Sequence, residues 1–122
     1  MDWMFRQDLP IYTQLMEQLT LAIIAGSYPA GARLPSVRDI AVEAGVNPNT
    51  VQRALTELER EGLIYSQRTA GRFVTEEVEM IELAKWRIAR EKAAEFLAAM
   101  EKLGFIRAQI PSLLQQAKEE TK

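Results

Sequence analysis

The chain of 122 residues is long enough to bury one modest core together with a small appended unit. It contains no cysteine and no histidine, which excludes disulfides and thiolate sites and removes the usual neutral-pH general base. The net charge is −2, and residues 1–75 carry seven arginines against eight acids, so any nucleic-acid partner must be contacted by a few local arginines.

The first predicted element is a helix over residues 10–26, PIYTQLMEQLTLAIIAG. Pro10 suits the first helical position, where a missing N–H is not needed, and Gly26 suits the end. Apolar residues recur at intervals of three or four, which predicts one buried face. This face comprises Ile11, Leu15, Leu19, Ala22 and Ile23.

Two further helices follow with only a short link between them. Ser36 is the predicted N-cap of a helix in LPSVRDIAVEAG, and Gly45 is its predicted stop. Asn47 is the predicted N-cap of the next helix, with Pro48 at its first position and Gly62 after its end. The predicted inward-facing residues are Val37, Ile40, Ala41 and Ala44 in the first of these helices, and Val51, Ala54, Leu55 and Leu58 in the second.

After these helices the periodicity changes. Residues 63–67, LIYSQ, and residues 72–75, RFVT, have β-branched and aromatic content and flank a polar loop, which predicts a β-hairpin. Three helices followed by a hairpin, with a tight turn between the second and third helices, is the order of elements in a winged helix-turn-helix domain. This domain is predicted to occupy residues 1–75.

Residues 76–122 are predicted to form a helical tail. A long segment without proline or internal glycine reaches Gly104, and a shorter helix follows, in which Pro111 either causes a kink or delays the start. The predicted fold is therefore mainly α with a small β-hairpin. It consists of a winged helix-turn-helix domain followed by a two-helix C-terminal dimerisation hairpin.

The third helix carries polar side chains opposite its apolar face: Asn49, Thr50, Gln52, Arg53 and Thr56. In a helix-turn-helix pair the second helix enters the major groove by its N-terminal residues. Asn and Gln side chains hydrogen-bond adenine there and Arg side chains hydrogen-bond guanine, so this set fits base recognition. The alternative is that these residues are only the solvated face of a structural helix. The preceding helix, the tight turn and the hairpin favour DNA binding.

Residues 31–74, GARLPSVRDIAVEAGVNPNTVQRALTELEREGLIYSQRTAGRFV, closely resemble the DNA-binding domain of the GntR family of bacterial regulators. PIYTQ upstream extends the resemblance, and the short tail resembles that of the YtrA subfamily. The resemblance implies DNA contacts from the start of the second helix, the early third helix and the wing glycine with an arginine beside it. With Arg33 and Asn47 added, the candidate DNA-binding residues are Arg33, Ser36, Arg38, Asn47, Asn49, Thr50, Gln52, Arg53, Arg68, Gly71 and Arg72.

Two of the candidate arginines have structural alternatives. Arg38 can instead pair with Asp39 or Glu43 on its own helix, and Arg33 can lie in a solvated loop. The family resemblance favours DNA contact for Arg38 and leaves both readings of Arg33 open.

The aromatic residues are interpreted as structural. Trp3, Phe5 and Tyr12 are expected to be core or interface anchors rather than base-stacking groups, and Trp86 is expected to pack against a partner helix rather than line a ligand pocket. An acidic group on the tail is interpreted as a negatively charged helix N-terminus rather than a cation site. This group comprises Glu76, Glu77, Glu79 and Glu82.

The tail carries more apolar surface than a two-helix hairpin can bury alone, which favours a homodimer joined by residues 77–120. A two-fold dimer matches an inverted-repeat operator and doubles the number of base pairs that are read. The predicted dimerisation residues are Ile81, Ile88, Phe96, Leu97, Met100 and Leu103.

The leading functional interpretation is a sequence-specific DNA-binding transcriptional regulator, a repressor that occupies a palindromic operator as a homodimer. The family resemblance implies a transporter operon as its target. Two alternatives remain open: a small-molecule sensor with a ligand site in the dimer interface near Trp86 and Phe96, and a winged-helix module for protein contacts.

The sequence contains no nucleophile–base pair, phosphate-binding glycine loop or metal-ligand set, so we expect neither an enzyme nor a bound cofactor or metal. It also shows no signal peptide and no apolar run long enough to span a membrane. We therefore expect the chain in the cytoplasm, with double-stranded DNA as its partner.

Overall fold

Three helices and a two-stranded antiparallel hairpin precede two C-terminal helices in the computed structural model, which describes residues 1–121. This order confirms the predicted fold class. The elements are α1 (Ile11–Ile24), α2 (Val37–Ala44), α3 (Pro48–Arg60), β1 (Ile64–Gln67), β2 (Gly71–Val74), α4 (Val78–Lys102) and α5 (Ile110–Glu120), with a short 3-10 turn (Arg107–Gln109) before α5.

The prolines lie close to their predicted positions. Pro10 occupies the N-cap of α1 rather than the first turn, since its ψ of 132° is extended. Pro111 lies in the first turn of α5, where a residue without an N–H breaks no helical hydrogen bond. Of the two outcomes predicted for the last helix, a later start is the one observed.

Local capping groups define the helix-turn-helix pair. Ser36 Oγ accepts a hydrogen bond from Asp39 N (3.1 Å) at the start of α2, and Asn47 Oδ1 accepts one from Asn49 N (2.8 Å) at the start of α3. Gly45 ends α2 in the left-handed region (φ 69°), which glycine adopts without steric cost. These three predictions are confirmed.

One hydrophobic core joins α1, α2, α3 and the hairpin. The four predicted inward residues of α3, Val51, Ala54, Leu55 and Leu58, are all 0% exposed. Because this whole face is buried, the rotation of α3 about its axis is fixed and its polar face points outward. The other large members of the core are Leu15, Leu19, Ile23, Leu34, Ile40, Leu63, Ile64 and Val74.

The chain divides into two compact units, the first ending at Trp86 and the second beginning at Arg87. The first turns of α4 belong to the first unit, because Ala84 is buried in the core and Ile81 packs against it. Ile81 was predicted as a dimerisation residue, but its apolar surface is used within the chain. The boundary after residue 75 remains a prediction, and residue 122 of the predicted tail lies outside the described residues.

Residues 1–9 lie against α1 without regular secondary structure. Gln14 bonds both backbone groups of Arg6, accepting from its N (2.7 Å) and donating to its O (2.7 Å). Gln18 bonds the backbone of Met4 in the same way, at 3.3 and 2.7 Å. The sequence did not predict this arrangement, since glutamines on a helix surface give no signal of a backbone partner.

A third extended segment, residues 31–34, lies beside the hairpin. The hairpin (β1 and β2) and this segment are together called the wing. The segment before α2 lies along β2, where Gly31 N donates to Val74 O (3.0 Å) and Val74 N donates to Ala32 O (2.9 Å). Further along, Leu34 N donates to Arg72 O (2.8 Å). The loop between α1 and α2 is therefore part of the wing, which the sequence pattern did not show.

One carboxylate fastens the wing to α3. Glu59 Oε1 accepts hydrogen bonds from the Ser66 hydroxyl and from Arg72 Nε (2.8 Å). Burial by itself raises the pKa of Glu59, but these hydrogen bonds and the guanidinium charge outweigh it, so the pKa lies below its usual value. Arg72, a predicted DNA contact, thus has a structural role as well.

Truncation on the core side of α3 should be strongly destabilising. Leu55→Ala is expected to lower the free energy of unfolding by about 2–5 kcal/mol, because buried volume is lost and a cavity remains. Leu21→Ala, the same change at a position on α1 that is 43% exposed, is expected to cost less than about 1 kcal/mol. Urea unfolding at equal protein concentrations measures both losses, and equal losses would contradict the assigned core.

The wing anchor should make stability depend on pH. A carboxyl whose folded pKa is depressed stabilises the fold above its unfolded pKa of about 4.3, and this contribution disappears as pH falls through the folded pKa. We therefore expect Glu59→Gln to melt below the wild type at pH 7, with the gap closing below about pH 4. Glu57→Gln is the control, because Glu57 is about as exposed as Glu59 but pairs with Arg60 on its own helix rather than with the wing. A gap that persists in acid would contradict the anchor.

Candidate nucleic-acid interface

The outward face of α3 presents the side chains predicted to read bases. Asn49, Gln52 and Arg53 are exposed and Thr50 is half-buried, all within the first two turns of the helix. Asn47 uses its Oδ1 to cap the helix, which leaves its amide N–H groups for another partner. These residues therefore form one polar surface at the N-terminal end of α3.

Arg53 has a partner that the sequence did not predict. Its guanidinium carbon lies 3.7 Å from the centroid of the Tyr12 ring in the first turn of α1, a cation–π arrangement. Tyr12 is half-buried beside α3 and is not among the residues that pack against the core, so it is not a core anchor; a role at an interface stays a prediction. Trp3 and Phe5, by contrast, pack against the core as predicted. A shallow groove at this place is lined by Ile11, Tyr12, Asn49, Thr50 and Arg53.

The start of α2 presents a hydroxyl and a cation. Ser36 Oγ accepts from the backbone, so its hydroxyl hydrogen is available to a phosphate oxygen. Arg38 is exposed and forms no ion pair within residues 1–121. One of its possible partners, Glu43, instead accepts hydrogen bonds from the N-terminal ammonium (3.0 Å) and the Trp3 indole (3.1 Å). Arg38 can therefore meet a phosphate.

The wing contains three arginines and a glycine among the candidate DNA contacts. Gly71 has φ 106°, and a Cβ added there would lie 3.2 Å from Arg33 Nε, so a side chain at this position would be both strained and crowded. Arg33 also pairs through its backbone with Phe73, which makes it part of the wing rather than of a solvated loop. Arg68 is exposed in the turn between the strands. Arg72 differs, because its Nε is bonded to the carboxylate of α3.

The acidic side chains of α3 lie in its C-terminal half, away from its N-terminal end. Its first two turns contain no Asp or Glu, and two of the carboxylates near its other end have cationic partners. Glu57 pairs with Arg60 at 3.0 Å, and Glu59 pairs with Arg72 at 2.8 Å. A chain with net charge −2 can therefore still present a locally basic surface to DNA.

The described part of the chain shows no metal site and no membrane-spanning helix. In residues 1–121, no group of three or more His, Cys, Asp or Glu side chains is arranged to hold a metal ion. The predicted acidic group surrounds the start of α4, with Glu79 in the first turn, where the helix dipole favours a negative charge. None of the described helices is both long and apolar enough to cross a membrane.

Comparison with known proteins places these features in a family. The sequence profile of the family described as "Bacterial regulatory proteins, gntR family" matches residues 11–74. The HTH-type transcriptional regulator YhcF of Bacillus subtilis is 34% identical over 110 residues, which cover 90% of this chain and 91% of YhcF. The HTH-type transcriptional repressor YtrA of Bacillus subtilis is 42% identical over 71 residues, covering 58% of this chain and 55% of YtrA.

Solved structures agree with the sequence comparison. A GntR family transcriptional regulator from Listeria monocytogenes superposes with a TM-score of 0.85 at 37% identity, covering 92% of this chain and 98% of that one. The DNA-binding domain of AraR, solved in complex with operator ORX1, superposes with a TM-score of 0.57 at 26% identity, covering 62% of this chain and 96% of that domain. The chain belongs to the GntR family of bacterial regulatory proteins, and it is a DNA-binding transcriptional regulator rather than an enzyme.

Proposed function

We propose that this regulator is a repressor that binds an inverted-repeat operator as a homodimer and blocks access of RNA polymerase. Sequence-specific binding is supported by one observation above all: Asn49, Gln52 and Arg53 are exposed on α3 while the opposite face of the helix is fully buried. The repressor mode is supported by the name of the YtrA relative. As the family resemblance implies, the target is a transporter operon, reached in the cytoplasm.

The proposed dimer is supported by the second unit, because its described residues, 87–121, form no buried core of their own. Within residues 87–121 no side chain is fully buried, although the segment is rich in large apolar residues. Leu97 is 41% exposed, Leu103 is 70% exposed and Ile106 is 64% exposed. A second copy of the same segment would cover this surface in an isologous contact. The residues proposed for that contact are Ile88, Phe96, Leu97, Met100 and Leu103.

A small-molecule sensor is the second candidate function, because the second unit contains a groove. Its lining residues are Leu97, Glu101, Phe105, Ile106, Arg107 and Ile110. The sequence suggested a ligand site near Trp86 and Phe96, but neither residue belongs to the lining of this groove. The indole N–H of Trp86 donates to Glu82 on the same helix (3.1 Å). A ligand in this groove would act on the proposed regulator and would not replace DNA binding.

Substitution of two arginines distinguishes base recognition from phosphate binding. On a duplex selected from a random pool, Arg53→Ala is expected to lower the ratio of specific to random-duplex affinity by about tenfold or more, because a base contact is lost. Arg38→Ala is expected to weaken both affinities equally and to flatten their salt dependence, because a phosphate contact is lost. Fluorescence anisotropy over a salt series measures both quantities.

Arg60→Ala is the matched control for these two variants. Arg60 lies at the C-terminal end of α3 and pairs with Glu57, away from the proposed contacts. Its removal should leave both affinities within about twofold of the wild type. An equal loss of specific and random binding in Arg53→Ala would contradict its base-reading role. A loss confined to the specific duplex in Arg38→Ala would contradict its phosphate-binding role.

The oligomeric state tests the proposed dimer. We expect sedimentation at micromolar concentration to give twice the 13.8 kDa of one chain. Leu103→Glu should lower this mass towards one chain, because a charge would be buried at the interface, whereas the fold should tolerate a change at such an exposed position. Leu21→Glu, an equivalent change on the surface of α1, should leave the mass unchanged. A wild-type monomer would refute the dimer.

A further inference from the structure

Tyr12 and Arg53 meet because α1 packs across α3. Tyr12 lies in the first turn of α1, and Arg53 lies in the second turn of α3 on the same side as Asn49. The packing places the Arg53 guanidinium over the ring, with its carbon 3.7 Å from the ring centroid. Both residues line the same open groove as Asn49 and Thr50, so the contact lies within the proposed DNA surface.

The ring is the contact that holds Arg53. Within residues 1–121, the Arg53 guanidinium has no ion pair and no hydrogen bond to another side chain. Arg72 provides the contrast, since its Nε is bonded to the Glu59 carboxylate and its charge is partly neutralised. The positive charge of Arg53 therefore remains available for DNA, while its position is restricted.

A stacked guanidinium can still form its hydrogen bonds. The cation–π contact uses one flat face of the group, whereas all five N–H bonds lie in its plane and point outward from its edge. A stacked arginine can thus make a bidentate contact with guanine O6 and N7 while the ring remains in place. Stacking also removes rotamer freedom before DNA arrives, so less conformational entropy is lost on binding.

We infer that Tyr12 is a positioning residue for base recognition: it holds the Arg53 guanidinium on its ring with the N–H edge directed at the DNA. This inference rests on the proposed function, because it assigns Tyr12 a part in the sequence preference of the operator complex. It predicts that an α1 residue outside the helix-turn-helix pair contributes to specificity through the orientation of Arg53.

Two substitutions of Tyr12 distinguish the effect of the aromatic face from the effect of the apolar volume of the side chain. Tyr12→Phe keeps an aromatic face, whereas Tyr12→Leu keeps apolar volume without one. On the selected duplex and on variants of it at each base pair, Tyr12→Phe should retain the wild-type preference within about twofold. Tyr12→Leu should lose about 3- to 10-fold of the preference at the base pair read by Arg53. Melting curves establish that each variant is folded.

A double-mutant cycle tests whether Tyr12 acts through Arg53. In the Arg53→Ala background, Tyr12→Leu should cause no further loss of preference, because nothing is left for the ring to position. An equal loss in both backgrounds would show that Tyr12 acts on its own, and full preference in Tyr12→Leu would show that it does not act on recognition. Either result overturns the inference while leaving the proposed function intact.

A measurement without DNA remains informative even if Tyr12→Leu fails to fold. In the wild type, the ring current should shift the Arg53 Nε–H proton upfield of the Arg38 Nε–H proton, and Tyr12→Phe should preserve this shift. Coincident resonances for the two arginines would overturn the inference. A wild-type protein that selects no duplex would contradict the proposed function. It would also contradict the role of Tyr12 in recognition, which depends on that function.

Discussion

The structure depends on burial of one face of α3. Val51, Ala54, Leu55 and Leu58 are fully enclosed by α1, α2 and the wing. Turning α3 by one residue, about 100°, would expose leucine side chains at roughly 1.5–3 kcal/mol each and force polar groups into the core. The outward direction of the proposed base-reading residues is therefore set by hydrophobic packing rather than by any contact that they make themselves.

The features that the sequence predicted are those encoded within a few residues. Ser36, Gly45 and Asn47 were assigned to helix ends because a cap needs only its own side chain and the next turn. The inward face of α3 followed from apolar spacing, and the hairpin followed from the change of period. The outward position of the polar face of α3 followed for the same reason, since the remainder of an amphipathic helix must face solvent, while its contact with DNA stays a proposal.

The features that the sequence missed are contacts between distant segments. The Glu59–Arg72 pair joins α3 to the wing, and the Arg53–Tyr12 contact joins α3 to α1. Neither can be read from spacing, because each depends on how two elements pack. Ile81 illustrates the same limit: its apolar character was evident, but whether it faces the core or a second chain depends on where α4 begins to leave the first unit.

The most direct test of this account is selection of duplexes from a random pool by the purified wild-type chain. We expect an enriched inverted repeat whose affinity falls steeply with salt, because two α3 helices would read equivalent half-sites while arginines bind phosphates. Enrichment of a single half-site without symmetry would contradict the dimeric operator complex. No enrichment by a folded, dimeric protein would contradict sequence-specific recognition by α3 itself.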